Sequence, residues 1–315
     1  MREQAAGQPD PVTRRRFLAG SAGGLGGLLL APSLLRAEEK AEGGFEPFEM
    51  VPLGKTGLKV CRVGFGTGTK GWNRQSNQKR LGKERFEALL RAAFDKGVRL
   101  FDCADLYGTH QFVASGLKGI PRDQYVLVTK VWWLPGAVPE PERPPVETVV
   151  ERFLKELGTD YIDIVQLHAP VSPKWPAELK VQMEALEGLK KKGVIRAHGI
   201  SCHSVEAMLA AAEEPWLDSL HARINPFNIM MDGPLDKVVA GLKKLHDAGK
   251  GVIGMKIMGE GRLRDSDEKR DQSVDFALNL GSVDAMIVGF EKAEEIDDFV
   301  ARVRKVKRKP AAAKP

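Results

Sequence analysis

Short apolar runs alternate with longer amphipathic segments along most of the chain. Residues 84–96 are typical of the longer segments: apolar side chains recur three and four positions apart, as on one helix face, and Gly97 follows as a helix stop. The short runs predict eight strands, each followed by a helical segment. The predicted strands are Arg62–Phe65, Val98–Phe101, Tyr125–Val131, Ile162–Leu167, Ile195–Ile200, Leu220–Ile224, Gly251–Met255 and Ala285–Val288.

This alternation predicts an α/β fold, a (β/α)8 TIM barrel. Strands that alternate with helices favour a parallel sheet, and the eight units fill a stretch close to the ~250 residues typical of such barrels. A doubly wound open sheet would more often carry a G-x-G-x-x-G fingerprint after its first strand, and residues 64–68 lack that spacing. Residues 50–60, with a turn at 54–57, predict an N-terminal β-hairpin before the barrel.

The chain divides into four predicted regions: an export signal over 1–37, a linker over 38–48, the barrel over 49–303 and a basic disordered tail over 304–315. Residues 13–18, Thr-Arg-Arg-Arg-Phe-Leu, open a glycine-interrupted apolar stretch with small residues after it, as in a signal peptide. The paired arginines resemble a twin-arginine signal, which exports folded proteins. We therefore expect the twin-arginine export machinery as a partner, a periplasmic location, and membrane contact only if the signal stays uncleaved.

The net charge of +6 does not indicate a nucleic-acid partner. Much of the basic excess lies at the chain ends, and the run from Arg302 to Lys309 contains no aromatic residue. A nucleic-acid surface would instead interleave basic and aromatic residues on a folded face. Three cysteines (Cys61, Cys103 and Cys202) are too few for a disulfide framework in 315 residues.

Candidate chemistry is concentrated where the predicted strands end. Residues 101–108, Phe-Asp-Cys-Ala-Asp-Leu-Tyr-Gly, supply Asp102 and Tyr107 after the second strand, and Lys130 and His168 end two later strands. The carboxyl ends of all barrel strands face one pocket. Any one of these residues alone is as readily explained as a cap or a packing residue. Four of them from three successive strands favour a shared functional site.

A phenol, an ammonium, a carboxylate and an imidazole together suit proton transfer. A free tyrosine has a pKa near ~10, which makes it a poor acid–base group at neutral pH. A nearby lysine would lower that pKa, and a carboxylate would keep the lysine charged. An imidazole can orient a carbonyl oxygen through a hydrogen bond. The set therefore predicts proton delivery to a carbonyl oxygen while hydride reaches the carbonyl carbon.

Over residues 49–300 the sequence resembles the aldo/keto reductase family. The matching stretches are Leu53–Leu58, Phe101–Gly108, Val128–Lys130, Val165–His168, Gly199–Ser201 and Ile287–Gly289. The resemblance implies Tyr107 as the general acid, Lys130 and Asp102 as the pair that tunes it, and His168 as the group that orients a small-molecule carbonyl substrate. It also implies a nicotinamide cofactor, NADP or NAD, bound across the barrel mouth without a Rossmann domain.

The resemblance also predicts cofactor contacts, several of which depart from the family pattern. Cys202 stands where the family often has an asparagine, and Met255 stands where it often has a stacking aromatic. Phe299 falls near the position of a further asparagine of the family. Glu295 would repel a 2′-phosphate and accept from a ribose hydroxyl, whereas Lys292 is a local basic group that supports NADP. The predicted cofactor contacts are Gly66, Thr67, Ser201, Cys202, Asn225, Met255, Lys256, Gly259, Gly289 and Glu295.

Further predictions concern loop residues and histidines. The segment 132–134 either lines the substrate pocket or closes the barrel as an apolar loop, and the segment 260–262 contacts a pyrophosphate through backbone amides. His198, His221 and His246 are interpreted as structural or exposed.

Two other functions remain open. A metal-dependent hydrolase would bring candidate zinc ligands together at the barrel mouth, although no H-x-H pair occurs and Lys130 would be an awkward neighbour for a cation. The candidate ligands are Cys103, His110, His168, Cys202 and His203. An exported barrel with a binding or regulatory role is the other alternative, because soluble NAD(P)H is not expected outside the cytoplasm.

Overall fold

The computed structural model describes residues 43–309, in which eight parallel strands close into a barrel and a two-stranded antiparallel hairpin precedes it. The predicted fold class is confirmed. The hairpin strands are β1 (Met50–Pro52) and β2 (Lys59–Cys61). The barrel strands are β3 (Val63–Gly66), β4 (Leu100–Asp102), β5 (Val126–Val131), β6 (Ile162–His168), β7 (Ile195–Ser201), β8 (Ser219–Arg223), β9 (Gly251–Met255) and β10 (Ala285–Val288). Strand β10 pairs with β3 and closes the ring.

Helices cover the barrel, and two short ones were not predicted: α1 (Asn77–Arg80) and α5 (Trp175–Glu178). The helix α4 (Val146–Leu157) ends where its buried apolar face meets Gly158, which adopts a left-handed φ of 64°. The other helices are α2 (Lys83–Asp95), α3 (His110–Gly116), α6 (Lys180–Lys191), α7 (Val205–Glu213), α8 (Leu235–Asp247), α9 (Asp267–Asn279) and α10 (Ala293–Lys305).

Strands β5 and β6 are buried along their whole length, as expected when helices cover one face and the barrel interior the other. Asp163, near the start of β6, is paired with Arg122 at 2.6 Å and with Arg196 at 2.7 Å. Lys130 and His168 are buried near the opposite, carboxyl ends of the two strands. Burying a charged side chain costs free energy unless the charge is paired. Polar residues at the carboxyl ends of β5 and β6 therefore need partners or a function.

The hairpin lies against the start of β9, at the end of the barrel opposite the candidate site. The amide of Lys55 donates to the carbonyl of Gly249 at 2.8 Å, and Leu53 is fully buried beneath the turn. Gly54 has a φ of 48°, and an added Cβ would lie 2.4 Å from the backbone nitrogen of Gly251. A side chain at position 54 is therefore excluded both by backbone strain and by close packing.

The two ends of the described chain pack together, which corrects the predicted disordered tail for residues 304–309. Helix α10 continues to Lys305, and Gly44 forms an antiparallel bridge with Lys307. The guanidinium of Arg308 lies 4.3 Å from the ring centre of buried Phe45, so cation–π contact orders both segments. Part of the predicted linker, 43–48, is ordered for the same reason.

The predicted export signal and residues 310–315 of the predicted tail lie outside the described residues. Among residues 43–309, no helix is both long enough and apolar enough to cross a membrane.

Candidate active site

Four predicted residues come together at the carboxyl ends of β4, β5 and β6. The Lys130 ammonium contacts the Asp102 carboxylate and donates to the Cys103 carbonyl at 3.0 Å. It lies 5.2 Å from the centre of the Tyr107 ring. The His168 ring stands almost perpendicular to that of Tyr107, with 5.9 Å between their centres. A phenol, an ammonium, a carboxylate and an imidazole therefore share one small region.

Burial sets the protonation states of Tyr107 and His168. Burial raises the pKa of Tyr107 above its ordinary value of 10, and the opposing effect of Lys130 is smaller. The expected lowering of this pKa is therefore not found. Burial and the charge of Lys130 hold the pKa of His168 well below 6.5. At neutral pH Tyr107 is a protonated phenol and His168 a neutral imidazole.

The Lys130–Asp102 pair stays charged despite burial. Burial alone would raise the pKa of Asp102, but Lys130, and also His221, lower it overall. Burial alone would likewise lower the pKa of Lys130, but Asp102 raises it overall. The ammonium is therefore fixed next to Tyr107 with its charge compensated.

Two glycines hold the Tyr107 ring in place. Tyr107 ends a short 3-10 turn (Asp105–Tyr107) that is closed by Gly108 with a φ of 62°. A Cβ added at Gly68 would lie 2.2 Å from the ring, and one added at Gly71 would lie 2.3 Å from it. The glycine-rich loop after β3 thus packs directly against the phenol.

Asp105, the other carboxylate of the 101–108 stretch, has a different role. Arg74 binds one of its oxygens at 3.1 Å, and Arg152 binds the other at 2.9 Å. Asp105 therefore anchors the turn that carries Tyr107.

His110 connects this region to helix α4. One ring nitrogen lies 2.7 Å from the Glu156 carboxylate and the other 2.7 Å from the hydroxyl of Thr129, which precedes Lys130. Burial alone would raise the pKa of Glu156, but His110 and Arg152 hold it at about 2.

We expect Glu156→Gln to lose about 2 kcal/mol of unfolding free energy at pH 7. A carboxylate whose pKa is lower in the folded state stabilises the fold at pH values above 4.5, its pKa in the unfolded chain. That stabilisation disappears as the pH falls from 4.5 to about 2, so wild type and variant should converge there. Urea unfolding across this range measures the difference. Glu151→Gln, an exposed position on the same helix, is the control. A constant gap between wild type and Glu156→Gln at all pH values would contradict the prediction.

A cleft leads from Asp102 and Tyr107 across the barrel mouth to the start of α10. Five of the ten predicted cofactor contacts line it: Gly66, Met255, Lys256, Gly289 and Glu295. Phe299 also lines it, as do residues that the sequence did not single out, among them Asn77, Arg264, Arg270, Glu291 and Asp298. In the predicted pyrophosphate loop, Glu260 lines the cleft and pairs with Lys256 at 2.5 Å.

Thr67 and Asn225 belong to the scaffold behind the cleft. The Thr67 hydroxyl donates to the Asp102 carbonyl at 2.9 Å. The Asn225 amide donates to the carbonyls of Ile229 and Lys256, and its oxygen accepts from the amides of Phe227 and Ile229. These four bonds use the full capacity of a side-chain amide. The structure therefore assigns Asn225 to loop positioning.

Cys202 and Gly259 are also placed behind the cleft surface. The Cys202 thiol is fully buried 3.6 Å from the His221 carbonyl, and burial raises its pKa well above 9.0. Gly259 is buried in a 3-10 turn (Gly259–Gly261), where its amide donates to the Lys256 carbonyl at 2.8 Å. Neither Cys202 nor Gly259 lines the cleft, although both were predicted to contact the cofactor.

Several buried polar atoms of β6, β7 and β8 lack a hydrogen-bond partner within residues 43–309. They are Gln166 Oε1, His168 Nδ1, Ser201 Oγ and His221 Nδ1. Buried polar atoms are normally hydrogen-bonded, so such a cluster marks a place that a polar ligand completes. His168 lies beside Tyr107 and His221 beside Asp102, and both Tyr107 and Asp102 line the cleft. This region therefore fits a nicotinamide dinucleotide, whose carboxamide can both donate and accept hydrogen bonds.

His221 is a site residue that the sequence reading missed. It lies inside β8, fully buried, and its Nε2 is 3.2 Å from Asp102 Oδ1 although the two are not aligned for a hydrogen bond. Gln78 of α1 was missed as well. Its side chain accepts from the Thr69 amide and donates to the Phe290 carbonyl, which joins the loops after β3 and β10. The sequence signal for α1 was its N-cap, Ser76.

The candidate zinc ligands do not form a metal site in the part of the chain that the structure describes. No group of three or more His, Cys, Asp or Glu side chains there is arranged to hold an ion. Burial also raises the pKa of the Cys103 thiol to about 12, so no thiolate is available at neutral pH.

The sequence model of the Aldo/keto reductase family matches residues 62–307. The chain belongs to that family. Among curated relatives, the aldo-keto reductase YhdN of Bacillus subtilis is 34% identical over 170 residues, which cover 51% of this chain and 49% of that protein. The chain thus spans about half the length of this relative. The D-threo-aldose 1-dehydrogenase of a Pseudomonas species is 26% identical over 68% of this chain and 71% of its own length.

Solved structures of the family share the barrel. A Pseudomonas aeruginosa protein assigned as an aldo-keto reductase is 25% identical, with a TM-score of 0.67 over 83% of this chain and 96% of its own. A Klebsiella pneumoniae aldo/keto reductase in complex with NADP and acetate has a TM-score of 0.60 over 82% of this chain and 91% of its own. At 22% identity, the latter likeness shows the fold alone.

Proposed function

We propose that this aldo/keto reductase reduces an aldehyde or ketone to an alcohol with NADH or NADPH. The observation that carries the proposal is the protonated Tyr107 phenol beside the charged Lys130–Asp102 pair. The same cleft is lined by Tyr107 and Asp102 and by residues of α10. The names of the relatives, reductases and sugar dehydrogenases, support an oxidoreductase.

In this proposal the chain's own residues bind the carbonyl and supply the proton. A bound nicotinamide supplies hydride to the carbonyl carbon. His168 is neutral, and its ring orients the carbonyl oxygen towards the Tyr107 hydroxyl. Tyr107 donates its proton to that oxygen, and Lys130 stabilises the phenolate that forms. Asp102 keeps the ammonium charged and in place throughout.

Aromatic side chains shape the substrate's approach to His168. The Trp132 ring stands perpendicular to the His168 ring at 5.6 Å, and the indole N–H of Trp133 donates to the His168 carbonyl at 2.8 Å. Trp72, 60% exposed, meets Trp132 edge-on at 6.2 Å. Such a surface suits a small substrate that combines polar groups with an apolar face, as a sugar does.

We also propose that residues 1–37 direct the folded protein to the periplasm, on the strength of the Thr13–Leu18 pattern. Replacing Arg14, Arg15 and Arg16 with lysine in the full chain should retain the protein in the cytoplasm of a bacterial host. Equal periplasmic recovery of variant and wild type would contradict this route.

The proposed activity is tested with the purified full chain and a panel of aldehydes and ketones, by following NADH or NADPH absorbance. Carbonyl-dependent oxidation of either cofactor supports the reductase. Saturable cofactor binding without turnover of any carbonyl would favour the binding or regulatory alternative, and binding of neither cofactor would remove the proposal.

A further inference from the structure

Carboxylates crowd one part of the cleft. This part is formed by the loop after β10 and the first turns of α10, and its lining includes Glu291, Glu295, Asp298 and Phe299. Because hydride must arrive next to Tyr107, the adenosine of a bound dinucleotide would lie away from Tyr107, and we assign it to this part of the cleft. The charges here therefore face the adenosine ribose, which is where NAD and NADP differ.

Two of the carboxylates are held in position by hydrogen bonds. Glu295 Oε2 accepts from the backbone amide of Glu291 at 2.7 Å. Glu291 Oε1 accepts from the side-chain amide of Asn77 at 2.6 Å, across the cleft from helix α1. The Glu295 carboxylate thus already accepts the hydrogen bond of a backbone amide near the N-terminus of α10. That amide would otherwise be free to bind an anionic ligand.

Two basic residues of the cleft are already neutralised by other carboxylates. Arg270 is already paired with Asp298 at 2.9 Å and with Asp267, and Lys256 is paired with Glu260. Lys292 does not line the cleft. Within residues 43–309, Lys70 and Arg264 line the cleft without an ion pair; both side chains are exposed, and neither is paired with Glu291 or Glu295.

We propose that the cleft selects NAD(H) over NADP(H) because Glu291 and Glu295 face the adenosine ribose. A carboxylate accepts a hydrogen bond from a ribose hydroxyl and repels a 2′-phosphate, which carries more than one negative charge at neutral pH. This inference rests on the proposed cofactor-dependent function and adds the identity of the cofactor.

Calorimetric titration of the purified full chain with NADH and NADPH tests the selection directly, without turnover. We expect NADH to bind at least ~10-fold more tightly, since two carboxylates repel the extra phosphate through a partly solvated medium. We also expect 5′-AMP to compete with NADH for binding and adenosine 2′,5′-bisphosphate not to compete. That result would place the discrimination at the adenosine ribose.

The Glu291→Gln/Glu295→Gln double variant should bring the two dissociation constants to within about threefold, because the amides keep the shape and remove the repulsion. Glu294→Gln, an exposed neighbour in the same helical turn that does not line the cleft, should leave the selectivity unchanged. Equal or tighter binding of NADPH by the wild type would overturn this inference and leave the proposed reductase intact. Failure of both cofactors to bind would overturn both.

Discussion

Tyr107→Phe should lower carbonyl reduction by about 10³-fold while the fold and cofactor affinity are retained. The variant removes one oxygen atom and keeps the ring that packs between Gly68 and Gly71. A general acid typically contributes 10²–10⁴-fold. In this site no second acid replaces it, because burial and Lys130 keep His168 neutral and Lys130 itself is engaged by Asp102. The measurement is kcat for a carbonyl that the wild type reduces, together with the dissociation constant of the cofactor.

Tyr161→Phe is the matched control. Tyr161 is half-buried before the start of β6, where Arg122 covers its ring at 4.2 Å, far along the strand from His168. Its hydroxyl should be dispensable. If Tyr107→Phe kept more than a tenth of wild-type kcat, or if both variants lost activity equally, Tyr107 would not be the proton donor.

The residues of the candidate site could be predicted because a barrel converts sequence order into spatial proximity. Asp102, Lys130 and His168 lie at the ends of consecutive strands, and parallel pairing brings consecutive ends side by side. The fold followed from periodicity for a similar reason: α4 needs only its own apolar face and Gly158 to define its bounds. Both inferences use local information and one general rule about topology.

Predictions failed where the role of a residue depends on contacts with distant loops. Asn225 stands at a strand end like His168, but its amide is fully used by Ile229, Phe227 and Lys256. His221 lies inside a strand, and its position against Asp102 depends on the register that pairs β8 with β7. No local pattern encodes which strand-end side chain faces the cleft and which supports the loops behind it.

The pKa of Tyr107 shows the same limit in electrostatic form. The residue types alone suggest that Lys130 lowers it, and the contact with Lys130 does act in that direction. Desolvation of the phenol has the larger effect, and desolvation is a property of the assembled barrel. The resulting protonated phenol suits an acid in the reductive direction.

Lys130→Met should destabilise the fold by about 3–5 kcal/mol at pH 7, because it leaves the buried Asp102 carboxylate without its ammonium partner. Methionine fills most of the volume of the lysine stem, so the loss reports mainly the uncompensated charge. Urea unfolding measures it, and Lys118→Met, at an exposed position, should be close to neutral. A loss below about 1 kcal/mol would mean that the pair is not desolvated as the structure shows.

The pH dependence of this loss identifies its cause. In the wild type the lowered pKa of Asp102 gives stability that is present above the unfolded value of 3.8 and is lost as the pH falls through the folded value. Without Lys130, burial should raise that pKa above 3.8, so the variant should gain stability relative to wild type as the pH falls from 7 towards 4. Lys130→Met/Asp102→Leu should recover much of the loss at pH 7, because no buried charge remains. A double variant as unstable as Lys130→Met would instead attribute the loss to packing around position 130.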